Sequence, residues 1–216
     1  MINLFEGHLN DLQLGILASL TNPCEIQSYL DQTPYSTEDR NRTPVEVMQD
    51  GVAHCLDGAL FAAAALRRIS CPALLIDMFP ERGMDDDHVL AIFQANGHYG
   101  ALAKSNFAGL RMREPIFRSI RELVMSYFEW FYNVDGVKTL RTYTRMLNLK
   151  QFDGLGWIWN PEGVQAIERR LLSMPRIPLI TPHMASQLNL QDSLTYKAGM
   201  LGVNPAGLYR PGKTNH

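Results

Sequence analysis

Cys55 stands in the segment Gly51-Val52-Ala53-His54-Cys55-Leu56-Asp57-Gly58, directly ahead of the strongest helical run in the chain. That position suits nucleophilic chemistry. Only the thiolate attacks a carbonyl well, and a helix N-terminus or a neighbouring imidazolium lowers the thiol pKa. The unpaired amides of a first helical turn can also hold an oxyanion. His88, in Asp85-Asp86-Asp87-His88-Val89-Leu90, is the candidate base, able to take the thiol proton and return it to a leaving amine. Gln49 lies six residues before Cys55. The competing reading is an inert cysteine, because Cys is among the most buried residue types.

These residues need elements to position them. Cys55 to Ile69 is rich in Ala and Leu, lacks Pro, and ends in Arg67-Arg68, where the macrodipole favours cations; Pro72 bars continuation. Asn22-Pro23 and Thr43-Pro44-Val45-Glu46 are helix starts, the second with capping-box spacing, and its helix ends near Gly51. Cys24 to Leu30 forms the earlier helix. Ala73 to Met78, His88 to Gln94 and Tyr99 to Ala103 are short apolar runs bounded by turn residues, and Asn96-Gly97 is a hairpin turn signal. A long helix followed by antiparallel strands gives an α+β order. Ile116 to Phe131 repeats apolar residues at i, i+3, i+4 and i+7, which predicts a helix. Thr139 to Met146 alternates like a strand, and Glu162 to Ser173 is helical in pattern. After Pro175 the chain is proline-containing and loop-like.

A helix headed by Cys, then a strand, then a strand opened by His, is the order of the papain-like superfamily. The sequence resembles the transglutaminase-like core of that superfamily over about residues 20–110. The resemblance rests on Cys55, Leu66-Arg67, Cys71-Pro72-Ala73, His88, and Tyr99 after the Asn96-Gly97 turn. It is nearest to uncharacterised bacterial proteins of that type, which share a stretch like Gly97 to Arg113. It implies a papain-like core with Cys at the N-terminus of a central helix packed on a small antiparallel sheet. It also implies Gln49 as an oxyanion donor and no cofactor. Two positions depart from the family. Ala53 stands where Gly is usual, and Ala103 stands at the expected Asp. Ser105 or Asn106 is then the candidate to fix the His88 ring, as Asn does in papain relatives. Asp87 adjoins His88 and points to the other face of a strand. His54 is a rim or capping residue.

Composition bounds the partners. The 216 residues are 46% hydrophobic and 19% charged, which fits a single domain with a real core. Its expected parts are the core, a helical extension over about 111–175 and a tail over 176–216. The net charge of −2 gives no basic face for nucleic acid. No basic amphipathic helix or run of roughly 20 apolar residues points to a membrane, and Met1 to Asn10 carries no signal-type apolar run. Cys24, Cys55 and Cys71 make no disulfide or zinc framework, so the cytoplasm is the expected location. His54, Cys55, Asp57 and Asp85 to His88 are suitable ligand types, but no metal spacing organises them, and no metal is expected.

The sequence therefore predicts a cysteine-dependent amide hydrolase or acyl transferase, working through a Cys55–His88 dyad and a thioester on a peptide or protein amide. The alternative, motivated by Ala103, is a catalytically degenerate fold that binds a peptide or protein partner. In that reading Arg111, Arg113, Arg118 and Arg121 form an acid-binding face.

Overall fold

A computed structural model describes residues 5–210. Capping chemistry sets where its helices begin. Asn10 and Gln13 close a capping box at helix α1 (Asp11–Ser19), and Asn22 accepts from the Glu25 amide at α2 (Pro23–Gln32). The Thr43 hydroxyl accepts from the Glu46 amide while Glu46 accepts from the Thr43 amide, starting α3 (Pro44–Asp50). Gly51 ends that helix at φ 66°, a left-handed conformation that glycine adopts without a Cβ penalty. Helix α4 (Cys55–Arg68) follows, and Leu56 to Leu66 are all buried in it. Its alanines let it lie close on the sheet, while Leu60, Phe61 and Leu66 each contribute about 1.5–3 kcal/mol by burial.

The sheet beneath α4 is antiparallel throughout. Its strands are β1 (Leu74–Pro80), β2 (His88–Ala95), β3 (His98–Leu102), β4 (Arg113–Phe117), β5 (Leu140–Thr144), β6 (Leu147–Asn148) and β7 (Arg176–Pro178). They run in the order β4-β3-β2-β1-β5-β7, with β6 also paired to β1. Asn96 (φ 51°) and Gly97 (φ 76°) make the β2–β3 turn, where both central residues need positive φ. The chain is thus α+β, with Cys55 at the head of a central helix on an antiparallel sheet.

Period-2 alternation divides the core between the two faces of the sheet. Leu75, Val89, Ala91 and Phe93 pack with α1–α4 and α6 (Pro161–Ser173). Ile76, Met78, Leu90 and Ile92 pack instead with α5 (Ile120–Met125), Tyr127, Phe131 and Leu179.

The predicted helix over Ile116 to Phe131 is mostly not one. Residues 113–117 pair with β3 as an edge strand, and Ile116 is 68% exposed, so it belongs to no helical core stripe. Ser119 then caps the short α5, accepting from the Glu122 amide. The stretch 111–175 is accordingly mixed, lending three strands to the sheet. The tail is not loop alone. It forms β7, α7 (Pro182–Ala185) and α8 (Ser193–Gly199) before it reaches Tyr209. Residues 211–216 of the expected tail lie outside the described residues.

The arginine face does not form either. Arg113 stacks over the Tyr127 ring at 4.0 Å and donates to the Gly109 carbonyl at 2.8 Å. Arg121 donates to the Leu179 carbonyl at 3.0 Å, and Arg111 pairs with Asp31 at 3.3 Å. Three of the four thus have partners among the described residues, so the arginines do not stand together as one free face.

Candidate functional site

The start of α4 is built by His54. Its Nδ1 accepts from the Leu56 amide at 3.2 Å, which places the ring proton on Nε2, and Nε2 donates to the Arg40 carbonyl at 3.1 Å. The Asp57 carboxylate accepts from the His54 amide at 3.1 Å and the Arg42 amide at 2.7 Å. His54 is therefore the cap. Arg42, itself buried, is held by Glu38, Ser36 and Asp50. This network fixes the loop before α4 as one wall of a cleft of about 900 Å³.

Cys55 opens into that cleft, half-buried. Its Sγ points to the Asp87 carbonyl at 3.9 Å, and Asp77 and Val89 lie on the same floor. Burial first, then the charge of Asp87, pushes the thiol well above its ordinary pKa; a hydrogen bond from the Val89 backbone opposes this less strongly. These effects together favour the protonated thiol over the thiolate.

His88 is elsewhere. In the β1–β2 ladder Asp77 faces Val89 and Met78 faces His88. Asp77 and Val89 line the cleft, so His88, one residue before Val89, projects from the opposite face of the sheet. It is 4% exposed, and its Nε2 meets the Leu110 carbonyl at 2.8 Å. Burial lowers its pKa to about 4; the Leu110 hydrogen bond opposes this, and the Arg113 charge adds a smaller push in the same direction as burial. The structure does not bring Cys55 and His88 together.

The other predicted members are also placed apart. Gln49 is exposed at the end of α3 and makes only a long 3.5 Å contact to the His8 carbonyl. Ser105 accepts from the Phe107 amide at 3.0 Å, a local turn. Asn106 ties down the tail, donating to the Asn204 and Gly207 carbonyls and accepting from the Asn204 amide at 2.8 Å. Through that tie Gly207, Leu208 and Tyr209 border the cleft. Two first-turn amides of α4 are also engaged, Leu56 with His54 Nδ1 and Gly58 with the His54 carbonyl at 3.0 Å.

Carboxylates stand where the imidazole was expected. Glu38, Asp39, Asp77, Asp86, Asp87 and Glu168 line the cleft, and no lysine or arginine does so among the described residues. Asp77 is 1% exposed, and its Oδ1 has no hydrogen-bond partner among the described residues. Burial raises its pKa well above the usual range, aided by the charge of Asp87; the Arg176 guanidinium, stacked on Phe79 at 3.8 Å, pulls weakly the other way. Asp87 is close enough to Asp77 for each carboxyl to shift the other's pKa. Asp87 and Asp86 are both raised, by burial first. Asp85, behind the loop, is raised to about 6 by burial although it accepts from Thr139 at 3.1 Å. Sequence reasoning passed over Asp77. The available signal was a lone carboxylate within the apolar run Leu74–Pro80.

No described residues group three His, Cys, Asp or Glu side chains in a way that could hold a metal ion. No helix among them is long and apolar enough to cross a membrane.

No family model matches this sequence, and no curated protein does. Among solved structures, Legionella pneumophila LapG is similar at 19% identity and a TM-score of 0.36. The likeness covers 48% of this chain and 68% of LapG; for EGTA-treated LapG the shares are 48% and 67%. At that level of likeness LapG decides nothing about this site.

Proposed function

We propose that the chain is a binding module on a transglutaminase-like architecture, its cleft taking a peptide or protein partner, with Cys55 as a wall residue. The observation that carries this reading is the placement of Cys55 and His88 on opposite faces of one sheet. A thiol held neutral among carboxylates is a poor nucleophile. A histidine buried without a carboxylate partner is no base for it.

A second reading rests on one observation: Cys55 heads a 14-residue helix inside an open cleft. In it Cys55 is the nucleophile of an amide hydrolase or acyl transferase, and Asp87 takes the proton assigned to His88.

Alkylation of Cys55 by iodoacetamide across pH, in wild type and His88→Ala, separates the two. The module reading expects reaction only well above neutral pH and no effect of the substitution on that profile. Fast alkylation below pH 7, under the free-thiol pKa of about 8.5, would overturn it.

A further inference from the structure

The cleft is an acidic pocket with an unfilled requirement. A buried carboxyl with an unpartnered oxygen costs free energy that a donor entering the cleft would recover. Asp77 Oδ1 is such an atom, buried against the cleft with Asp87 near it, while Asp86 and Glu168 line the cleft with more exposure. Among the described residues the six lining carboxylates meet no lining lysine or arginine, although Glu38 is already engaged by Arg42 outside. Metal is disfavoured, because three such groups do not converge among the described residues. Apolar side chains also line the cleft, from Leu56, Val89, Leu171 and Leu208, together with Tyr35 and Tyr209.

Apolar walls leading to a buried pair of acids match an alkyl stem with a cationic head. Two neighbouring carboxyls favour a compact ammonium, whose three donors can reach both. A planar guanidinium needs both oxygens of one carboxylate in its own plane.

We propose that this cleft binds a primary ammonium on an alkyl stem, with Asp77 and Asp87 as its ligands and the apolar walls along the stem. Either a lysine side chain of a peptide or a free alkylamine has this chemistry. The inference deepens the binding-module reading and rests on it.

The test uses the full chain and follows maleimide modification of Cys55, with Cys24 and Cys71 as internal controls, alongside calorimetric titration. The probes are Nα-acetyl-lysine amide, 1,5-diaminopentane, methylguanidine, 1-hexanol and calcium ion. Bound ammonium should slow modification of Cys55 and leave Cys24 and Cys71 unchanged. It should bind at least about tenfold tighter than the alcohol, the margin of a single good buried contact. Asp77→Asn and Asp87→Asn should each remove that preference, with circular dichroism confirming that both variants fold. Tighter binding of the lysine derivative assigns a peptide source, and tighter binding of the diamine assigns a free amine. Equal binding of ammonium and alcohol, preference for methylguanidine, or displacement of the amine by calcium each overturns the proposal. Such a result with Cys55 still slow toward iodoacetamide leaves the module reading standing, whereas a fast thiol removes that reading itself.

Discussion

His88 stands opposite Met78 in the β1–β2 ladder, and that pairing holds its ring against the Leu110 carbonyl, on the far face of the sheet from Cys55. A slip of one residue would turn His88 into the cleft and Asp87 out of it. The same register carries Leu90 and Ile92 into one core and Val89, Ala91 and Phe93 into the other, so any slip would expose or misplace all five.

His88 makes stability depend on pH. Its folded pKa, about 4, lies below the ordinary value of 6.5. A depressed pKa contributes stability that is present above pH 6.5 and is lost as pH falls toward 4. The loss amounts to about 3 kcal/mol when complete. Urea unfolding of wild type and His88→Gln at pH 7 and pH 4.5 checks this. The gap between the two proteins should shift in favour of the variant at the lower pH. A constant gap would mean that His88 is not held neutral.

Asp77→Asn should stabilise the protein at neutral pH. The raised pKa of Asp77 has the opposite sign to that of His88. Its favourable contribution is complete below the unfolded value of 3.8 and disappears as pH rises through the folded pKa. Asn keeps the shape and can donate to Asp87. The expected gain is about 1–3 kcal/mol at pH 7.5, the cost of an unsatisfied buried polar group, vanishing near pH 3. Thermal melts over that range measure it, and a loss of stability at pH 7.5 would contradict the orphaned carboxyl.

Gly58 admits no side chain. A Cβ there would lie 2.2 Å from Lys104 Cβ, and the Lys104 amine is fixed on the Leu30 and Thr33 carbonyls. Gly58→Ala should therefore destabilise the fold by about 1–3 kcal/mol, the cost of overpacking. Equilibrium denaturation gives the value. A neutral result would show that Lys104 can yield.

Asn106→Ala tests whether Asn106 acts as a tail anchor or as a catalytic group. The side chain makes three hydrogen bonds to Asn204 and Gly207. Its loss should speed amide exchange at 204–209 and quicken maleimide modification of Cys55 about two- to tenfold, with little change in global stability. Unchanged exchange in that segment would remove the anchor role.

Much of the architecture was legible because it depends on neighbours in the chain. Thr43 with Glu46, Asn22 before Pro23, and Asn96-Gly97 each act within four residues, and the caps and the hairpin turn form where those residues stand. The helix from Cys55 to Arg68 follows equally from its alanines, its terminal arginines and the break at Pro72. The helix expected over Ile116 to Phe131 failed for a non-local reason. The free edge of β3 pairs with residues 113–117, and ladder hydrogen bonds formed there exclude a helix.

The site divides along the same line. That Cys55 heads a helix is a property of the sequence alone. Which side chains surround it is set by strand register and by what the sheet buries on each face. Period-2 alternation carries Asp77 and Asp87 to the thiol and His88 away from it. The nearest cleft wall from the tail, Leu208 and Tyr209, arrives from more than a hundred residues downstream through Asn106. Local propensity fixes where elements begin and end, but only the packed sheet, in which each strand has one buried register, decides what faces what.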